Sequence, residues 1–432
     1  MRKSLFVLAL IFAQICHGQT FQQKFVIDDL TNFWQAYEKI ISTTDSLQQY
    51  KFLTELYIDK ATIGLKSLIK VRNYTSQEFI AAINSYPKFW ASIKESTLMV
   101  PKLFPEINAN ILKLREAYPH LKPSAIYFAV GAFRTNGTID GNNVLIGSEL
   151  ALGDSLTVVD ELPKGRQLFY KEYHPKDNLA LLCTHEYIHT QQKEMVENLL
   201  SMCLYEGVAE FLSCLITGKK SNSPAIEFGK ANRDKVVKQF VADLYIMSNN
   251  YNWLWGENRN ELKVRDLGYY IGYEICERYY NLSPDKKKAI KELIELDYTD
   301  EKEVERIINS TRFLPKTLSE LNNDYEKQRP KVISMQPFNN GSKNVKPGLT
   351  KITITFSKPL NGYNTGIDFG PLGEKAIPKI GAVRTWSRNA TAWTFEADLQ
   401  PNMHYQILIS NNFRTKDGIR LKPFLIDFET GL

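Results

Sequence analysis

The sequence predicts an α+β protein: a mainly helical body carrying a small sheet, followed by an all-β sandwich. Three observations carry that expectation. Apolar residues recur every three or four positions over residues 25 to about 118, the spacing of a buried helix face. Strand-like runs and turn pairs interrupt this pattern between Ile126 and Gly147. From Pro330 onward, short stretches alternate apolar and polar with period two. The chain has 432 residues, of which 43% are apolar and 24% charged; that composition excludes wholesale disorder, a fibrous repeat and a polytopic membrane protein. The length exceeds one small domain, at about 150 residues per domain.

Met1, Arg2 and Lys3 precede an apolar run from Leu5 to Ile15. A charged start and a short apolar stretch read as a secretory signal, with cleavage near Gly18 or Gln19. The run is shorter than the roughly 20 apolar residues that span a bilayer as a helix. Cys16 follows Ile15, a poor residue before a lipidated cysteine. No later segment is long and apolar enough for a membrane helix, so an exported protein without an integral membrane segment is expected. Export permits disulfides. Cys183, Cys203, Cys214 and Cys276 nevertheless sit in apolar, helix-like contexts and read as buried thiols. Cys203 and Cys214, on one helix, would stand about 16 Å apart.

In the body, Leu30, Phe33, Trp34, Tyr37, Ile40 and Ile41 mark one helix face, with Asp28 and Asp29 at its favoured acidic start. Further helices are predicted near 50–70, 76–96 and 102–117, ended by Tyr118, Pro119 and Pro123. Ile126–Val130 and Asn143–Gly147 read as strands, with turns at Asn136-Gly137 and Asp140-Gly141. A second helical block is predicted from about 178 to 325. In the tail, Ile352, Ile354 and Phe356, then Trp393, Phe395 and Ala397, then Tyr405, Ile407 and Ile409 alternate with polar residues; Asn340-Gly341, Asn361-Gly362 and Asp417-Gly418 separate them. About 100 residues of such strands argue for a β-sandwich. Charge supports two units. From Lys331 on there are 13 Lys+Arg against 7 Asp+Glu, which is the whole net charge of +6, and the first 330 residues balance at 41 of each sign. Expected boundaries are 1–19 for the signal, 20–329 for the helical domain and 330–432 for the sandwich.

The chemistry is concentrated in Thr184-His185-Glu186-Tyr187-Ile188-His189. On a helix, residues four apart share a face, so both imidazoles can grip one metal ion. Glu186 can reach a water held by that ion, the H-E-x-x-H arrangement. Asp177 or Asn178 is placed to cap the helix. A catalytic zinc needs a third protein ligand and an open position. Glu206 lies 17 residues after His189, far enough for a turn and a second helix to return over the metal. It stands among Leu204, Val208, Phe211 and Leu212, where a carboxylate needs a partner. Gly207 would let the two helices approach closely, and Glu210, one turn later, could accept the spare ring N–H of a ligating histidine. His120, His174 and His404 have no partner at ligand spacing.

His185-Glu186-x-x-His189 followed by Glu206-Gly207-x-Ala209-Glu210 resembles the gluzincin class of zinc metallopeptidases, which have a Glu third ligand. With Asn32–Tyr37 and Gly268–Tyr273 added, residues 25–325 are similar to a Bacteroidetes group of predicted zinc-dependent proteases related to gliding-motility lipoprotein B. No G-x-M-E-N element is present; the nearest segment is Gly147-Ser148-Glu149-Leu150. The tail, through Ile352–Pro359 and Ile426–Thr430, is similar to bacterial Ig-like domains. The resemblance implies a zincin-like metallopeptidase domain over 20–329, an Ig-like sandwich over 330–432, one Zn²⁺ ion and a peptide or protein substrate. In related gluzincins a Tyr or His helps stabilise the oxyanion. Tyr273, then Tyr269, on the expected helix Asp266–Tyr280 are the candidates. Arg265 is a candidate for a substrate carboxylate or for a surface salt bridge. Asn143–Gly147 is a candidate edge strand for substrate pairing, or simply one strand of the sheet.

An exported zinc peptidase is therefore expected, in the periplasm or at the cell surface. Its rival is a catalytically inactive zinc-fold protein that binds or assembles through the Ig-like unit. A zinc hydrolase for a non-peptide amide is a third reading. No nucleic-acid motif is present, and the basic tail could favour an anionic surface or glycan.

Overall fold

The computed structural model describes residues 23–432; the expected signal at 1–19 and Cys16 lie outside the described residues. Helices prevail up to Gln328 and strands from Val332 on, an α+β mixture. By contacts the described residues divide into two compact units, 23–191 with Leu212–Asn222, and Gln192–Phe211 with Ser223–Leu432. The change of texture at residue 330 falls inside the second unit.

The first unit begins with β1 (Phe25–Val26) and helices α1 (Asp28–Ile40), α2 (Ser46–Leu53), α3 (Ile63–Arg72), α4 (Ser76–Ser85), α5 (Pro87–Leu98) and α6 (Phe104–Ala117). Leu30, Phe33, Trp34, Tyr37 and Ile40 of α1 are buried as their spacing predicts, but Ile41, at the C-cap, is exposed. Its acids do not cap it. The N-cap is Ile27, and Asp29 instead accepts the Thr62 N–H at 2.9 Å. Thr62 starts α3, so Asp29 ties two helix starts together. The stretch 50–70 is not one helix: α2 runs into a π-turn at Thr54–Ile58, and α3 restarts with Thr62 as cap. Phe33, Trp34, Tyr57, Phe89 and Trp90 form an aromatic core whose polar atoms are paired. The Trp34 indole donates to Thr97 Oγ1 at 2.8 Å, and the Tyr57 hydroxyl donates to Val130 O at 2.6 Å.

The sheet contains β2 (Ala125–Ala129), β3 (Gly137–Asp140) and β4 (Asn143–Gly147) in the order β1-β2-β4-β3. The first three strands in that order are parallel and β3 is antiparallel to β4. This corrects one expectation. Asn143–Gly147 is not an edge strand, because Gly137–Asp140, read as part of a turn region, pairs along its free side. The edge is β3. Three helices follow: α7 (Ser148–Ala151), α8 (Lys164–Tyr173) and α9 (Leu179–His189). The sequence pattern does not disclose α8, since only Tyr170 among its residues is buried. A 3₁₀ turn, Lys176–Asn178, leads into α9. Neither Asp177 nor Asn178 caps it through a side chain; the Asn178 amide turns back to Tyr173 O at 3.0 Å.

Next comes α10 (Leu199–Thr217), which corrects the expectation that no segment after the signal is long and apolar enough for a membrane helix: it is the one helix among the described residues that is. It is 83% buried over its apolar window, which marks a core helix. The second unit continues with α11 (Pro224–Ala231), α12 (Arg233–Asp243), α13 (Asn250–Trp253), α14 (Leu267–Leu282), α15 (Lys286–Ile294), α16 (Glu301–Thr311) and α17 (Leu318–Gln328). Its strands are β5 (Val332–Gln336), β6 (Gly348–Phe356), β7 (Ile367–Phe369), β8 (Lys379–Trp386), β9 (Ala392–Leu399), β10 (His404–Ile409) and β11 (Phe424–Glu429). They form two antiparallel sheets, β5-β6-β9-β8 and β11-β10-β7. The alternating residues named from the sequence face one shared core, with Ile352, Phe395, Ile407 and Ile409 fully buried. Strand β8 escapes the pattern because Val383 is exposed and its register shifts between Ile380 and Arg384. Tyr245 stacks on Tyr325, and the Arg329 guanidinium donates to Arg420 O and Leu421 O at 3.1 and 2.5 Å. The Arg329 bonds tie the end of the helical part to the segment before β11.

Candidate metal centre

Helix α9 packs on β3, β4 and α6 and is buried nearly all round. Its own polar groups are satisfied locally. Thr184 Oγ1 donates to Ala180 O at 2.7 Å, and the Tyr187 hydroxyl accepts the Ser124 N–H at 2.8 Å, anchoring the helix to the segment before β2. His185 and His189 stand one turn apart with their Nε2 atoms 3.0 Å apart. Two ligand atoms on one zinc, each about 2.0–2.1 Å from it in tetrahedral geometry, are separated by about 3.3 Å. One ligand atom from each of His185, His189 and Glu206 lies within 4.8 Å of the others. All three residues, and Glu186, are less than one-tenth exposed. Two imidazoles and a carboxylate are a donor set that suits zinc. The group can therefore hold a metal ion.

Glu186 sits against β3. A Cβ at Gly137 would stand 2.6 Å from Glu186 Oε1, so only glycine leaves room for this carboxylate beside the edge strand. The sequence offered Gly137 as a turn residue; the strand partner that makes it matter is far away in the chain. Cys183, one turn before Glu186, is buried, and its thiol is pushed well up by burial and by the Glu186 charge.

Glu206 is placed by a close crossing of α10 and α14. A Cβ at Gly207 would lie 2.2 Å from the Gly272 carbonyl carbon, and one at Gly272 would lie 1.8 Å from Cys203 O. A Cβ at Gly268 would meet Leu254 and the Cys203 sulfur. Gly207 thus serves the approach of α14, not that of α9 as expected. Glu206 and Tyr269 are chain neighbours of Gly207 and Gly268, so the crossing brings them together. The Tyr269 hydroxyl bonds Glu206, and its pKa is raised well above the ordinary value, first by burial and next by the Glu206 charge.

The two candidate tyrosines of α14 have different neighbours. Tyr273 directs its hydroxyl to Glu277 Oε1 at 3.3 Å, its ring meets Phe211 edge-on, and Lys230 lies 4.8 Å over it. Four residues on a helix leave about 40° between side chains, enough to send Tyr269 to Glu206 and Tyr273 towards α11. Glu210 is buried one turn after Glu206. Arg265 is exposed and pairs with Asp266 at 2.6 Å, the salt-bridge alternative. His404 pairs with Asp427 at 2.9 Å in the strand region. The four cysteines are free and buried.

Two further residues stand out, Trp255, which no sequence pattern marked, and Glu149, met in the sequence only within the segment nearest to a G-x-M-E-N element. Trp255 donates its indole N–H to the Tyr269 oxygen at 3.3 Å. Glu149 is fully buried, and its two oxygens accept the Gly131 and Phe133 N–H groups, each at 2.9 Å. It holds the chain between β2 and β3, and burial above all raises its pKa.

Residues 164–301, about a third of the chain, match a sequence family described as "Predicted Zn-dependent protease (DUF2268)". The matched span includes His185, Glu186, His189, Glu206 and Tyr269. No curated protein matches the chain. Two solved structures are similar over 94% of it: "Crystal structure of the S-layer protein rSbsC(31-844)", at 11% identity and TM-score 0.17, and "Structure of surface layer protein SbsC, domains 1-6", at 12% and 0.18. The chain covers 45% and 46% of them, so it spans less than half of either. At these TM-scores the likeness carries no argument.

Proposed function

We propose that this chain is an exported zinc-dependent peptidase. The supporting observation is the gathering of His185, His189 and Glu206 ligand atoms within 4.8 Å, with the Glu186 carboxylate one residue from the first imidazole. A zinc ion there supplies Lewis acidity, polarising a carbonyl and lowering the pKa of water from about 15.7 to about 7. His185 and His189 present Nε2, and Glu206 presents a carboxylate oxygen. Glu186 takes the proton of the attacking water and passes it to the leaving amine. The substrate backbone pairs with the free edge of β3, which runs beside Glu186. Of the two α14 tyrosines, Tyr269 is the one whose hydroxyl bonds Glu206. The N-terminal segment directs export to the periplasm or cell surface. Residues 20–329 form the peptidase domain, and 330–432 form an Ig-like module that contacts the surface or a glycan.

The test is a peptide-library digest with the wild type and Glu186→Gln, each with its bound zinc measured. Loss of the general base is expected to lower the rate by about 10²–10⁴-fold with zinc retained. Zinc in both proteins with cleavage by neither would favour a binding protein. Cleavage that survives Glu186→Gln would remove Glu186 as the base.

A further inference from the structure

Trp255 has φ 60°, a left-handed backbone conformation that tryptophan rarely adopts. Such a conformation persists only where the surroundings over-determine it. Apolar burial does not explain it, because the side chain is 43% exposed. Hydrogen bonds do. The Trp255 N–H donates to Asp266 Oδ1 at 2.9 Å, and Asp266, at the start of α14, is itself left-handed at φ 61°. The chain between them is closed on itself: Asn258 Nδ2 donates to Val264 O at 2.8 Å, and Asn260 N to Asn258 Oδ1 at 3.0 Å. Directly after Trp255 the backbone turns so tightly that a Cβ at Gly256 would lie 2.1 Å from Tyr251 O. The loop thus holds the Trp255 backbone beside the start of α14.

At that place the indole N–H points to the Tyr269 oxygen, 3.3 Å away. An indole N–H is donor only, so the tyrosine oxygen must accept. The single tyrosine proton is left for Glu206, to which the hydroxyl is also bonded. The order of the chain is therefore set: Trp255 donates to Tyr269, and Tyr269 donates to Glu206. A carboxylate that receives a fixed donor has its free oxygen direction fixed as well. Ligands oriented in this way bind metal without first paying the entropy of ordering.

We infer that Trp255 is a positioning residue of the metal centre, acting through Tyr269 to orient the Glu206 carboxylate towards the ion. The inference rests on the proposed reading that Glu206 is a zinc ligand. It also gives Tyr269 a role other than that of an oxyanion donor, since its proton is already given to Glu206.

The experiment is a zinc titration of the full metal-free chain against a chromophoric chelator, for wild type, Trp255→Phe, Tyr269→Phe and the double variant. Circular dichroism of each metal-free protein checks the fold. Phenylalanine keeps an aromatic ring at 255 but removes the N–H. Partners of metal ligands carry about 10–100-fold in affinity, so each single variant is expected to raise the zinc Kd by about tenfold or more. The double variant should be no weaker than Tyr269→Phe alone, because both act through one chain. An unchanged Kd for Trp255→Phe overturns the inference, and so do independent, multiplying losses in the double variant. A wild type that takes up no stoichiometric zinc overturns the peptidase reading together with this one. A wild type that binds zinc with Trp255→Phe unchanged overturns this inference alone.

Discussion

The helical region and the two-sheet region handle buried charge in opposite ways. Among the described residues, the buried acids and imidazoles (Asp29, Glu149, His185, Glu186, His189, Glu206, Glu210, Asp243 and Glu274) all precede residue 330. The strand region buries only neutral polar groups, such as Gln406 and Thr430, around a core of large apolar side chains. Burying a charge is expensive without a partner or an ion. A fold that gathers so many such groups in one part and none in the other separates chemistry from support.

Substitutions can test that separation. The largest expected effect is from Trp393→Ala in the strand core, where the ring is almost fully buried. It should cost about 3–5 kcal/mol in denaturant unfolding while leaving zinc binding unchanged; a loss of zinc would dissolve the contrast. Gly272→Ala is expected to cost about 3 kcal/mol, the upper end of the usual overpacking range, because the added carbon would meet the α10 backbone, with Cys203 O at 1.8 Å and Gly207 Cα at 2.8 Å, and not the end of a flexible side chain. Here the zinc Kd should rise as well, since the added carbon forces Cys203, and with it Glu206, away from α14. Stability lost with zinc affinity intact would break the link between the crossing and the site.

A smaller effect concerns pH. Burial raises the Glu149 carboxyl above its ordinary 4.5 in the folded protein. The folded state then holds that proton more tightly than the unfolded chain does. Its contribution is full below about 4.5 and is lost as pH rises through the raised folded value. Glu149→Gln cannot titrate, so the stability difference, wild type minus variant, should shrink between about pH 5 and about pH 8. Urea unfolding at both values checks this, and a constant difference would contradict it.

Much of this molecule was legible in its sequence, for identifiable reasons. Helix α1 and strands β6, β9 and β10 each bury one face, so their period survives in the sequence. Helix α8 buries little and left no trace, while β3 is four residues long and was hidden between two turn pairs. At the site, His185, Glu186 and His189 were legible because their geometry is local to one helix turn. Glu206 was found from distance along the chain and apolar company. Trp255, Gly137 and the bond between Tyr269 and Glu206 depend on contacts between distant segments, which no local spacing encodes.

The central claim is that two imidazoles of α9 and one carboxylate of α10 hold a single metal ion. Counting zinc per chain by mass spectrometry, after dialysis, tests it in wild type, His189→Ala and Glu206→Ala. One zinc per wild-type chain and far less in either variant is the predicted result. Equal zinc in all three proteins, or none in the wild type, would contradict it.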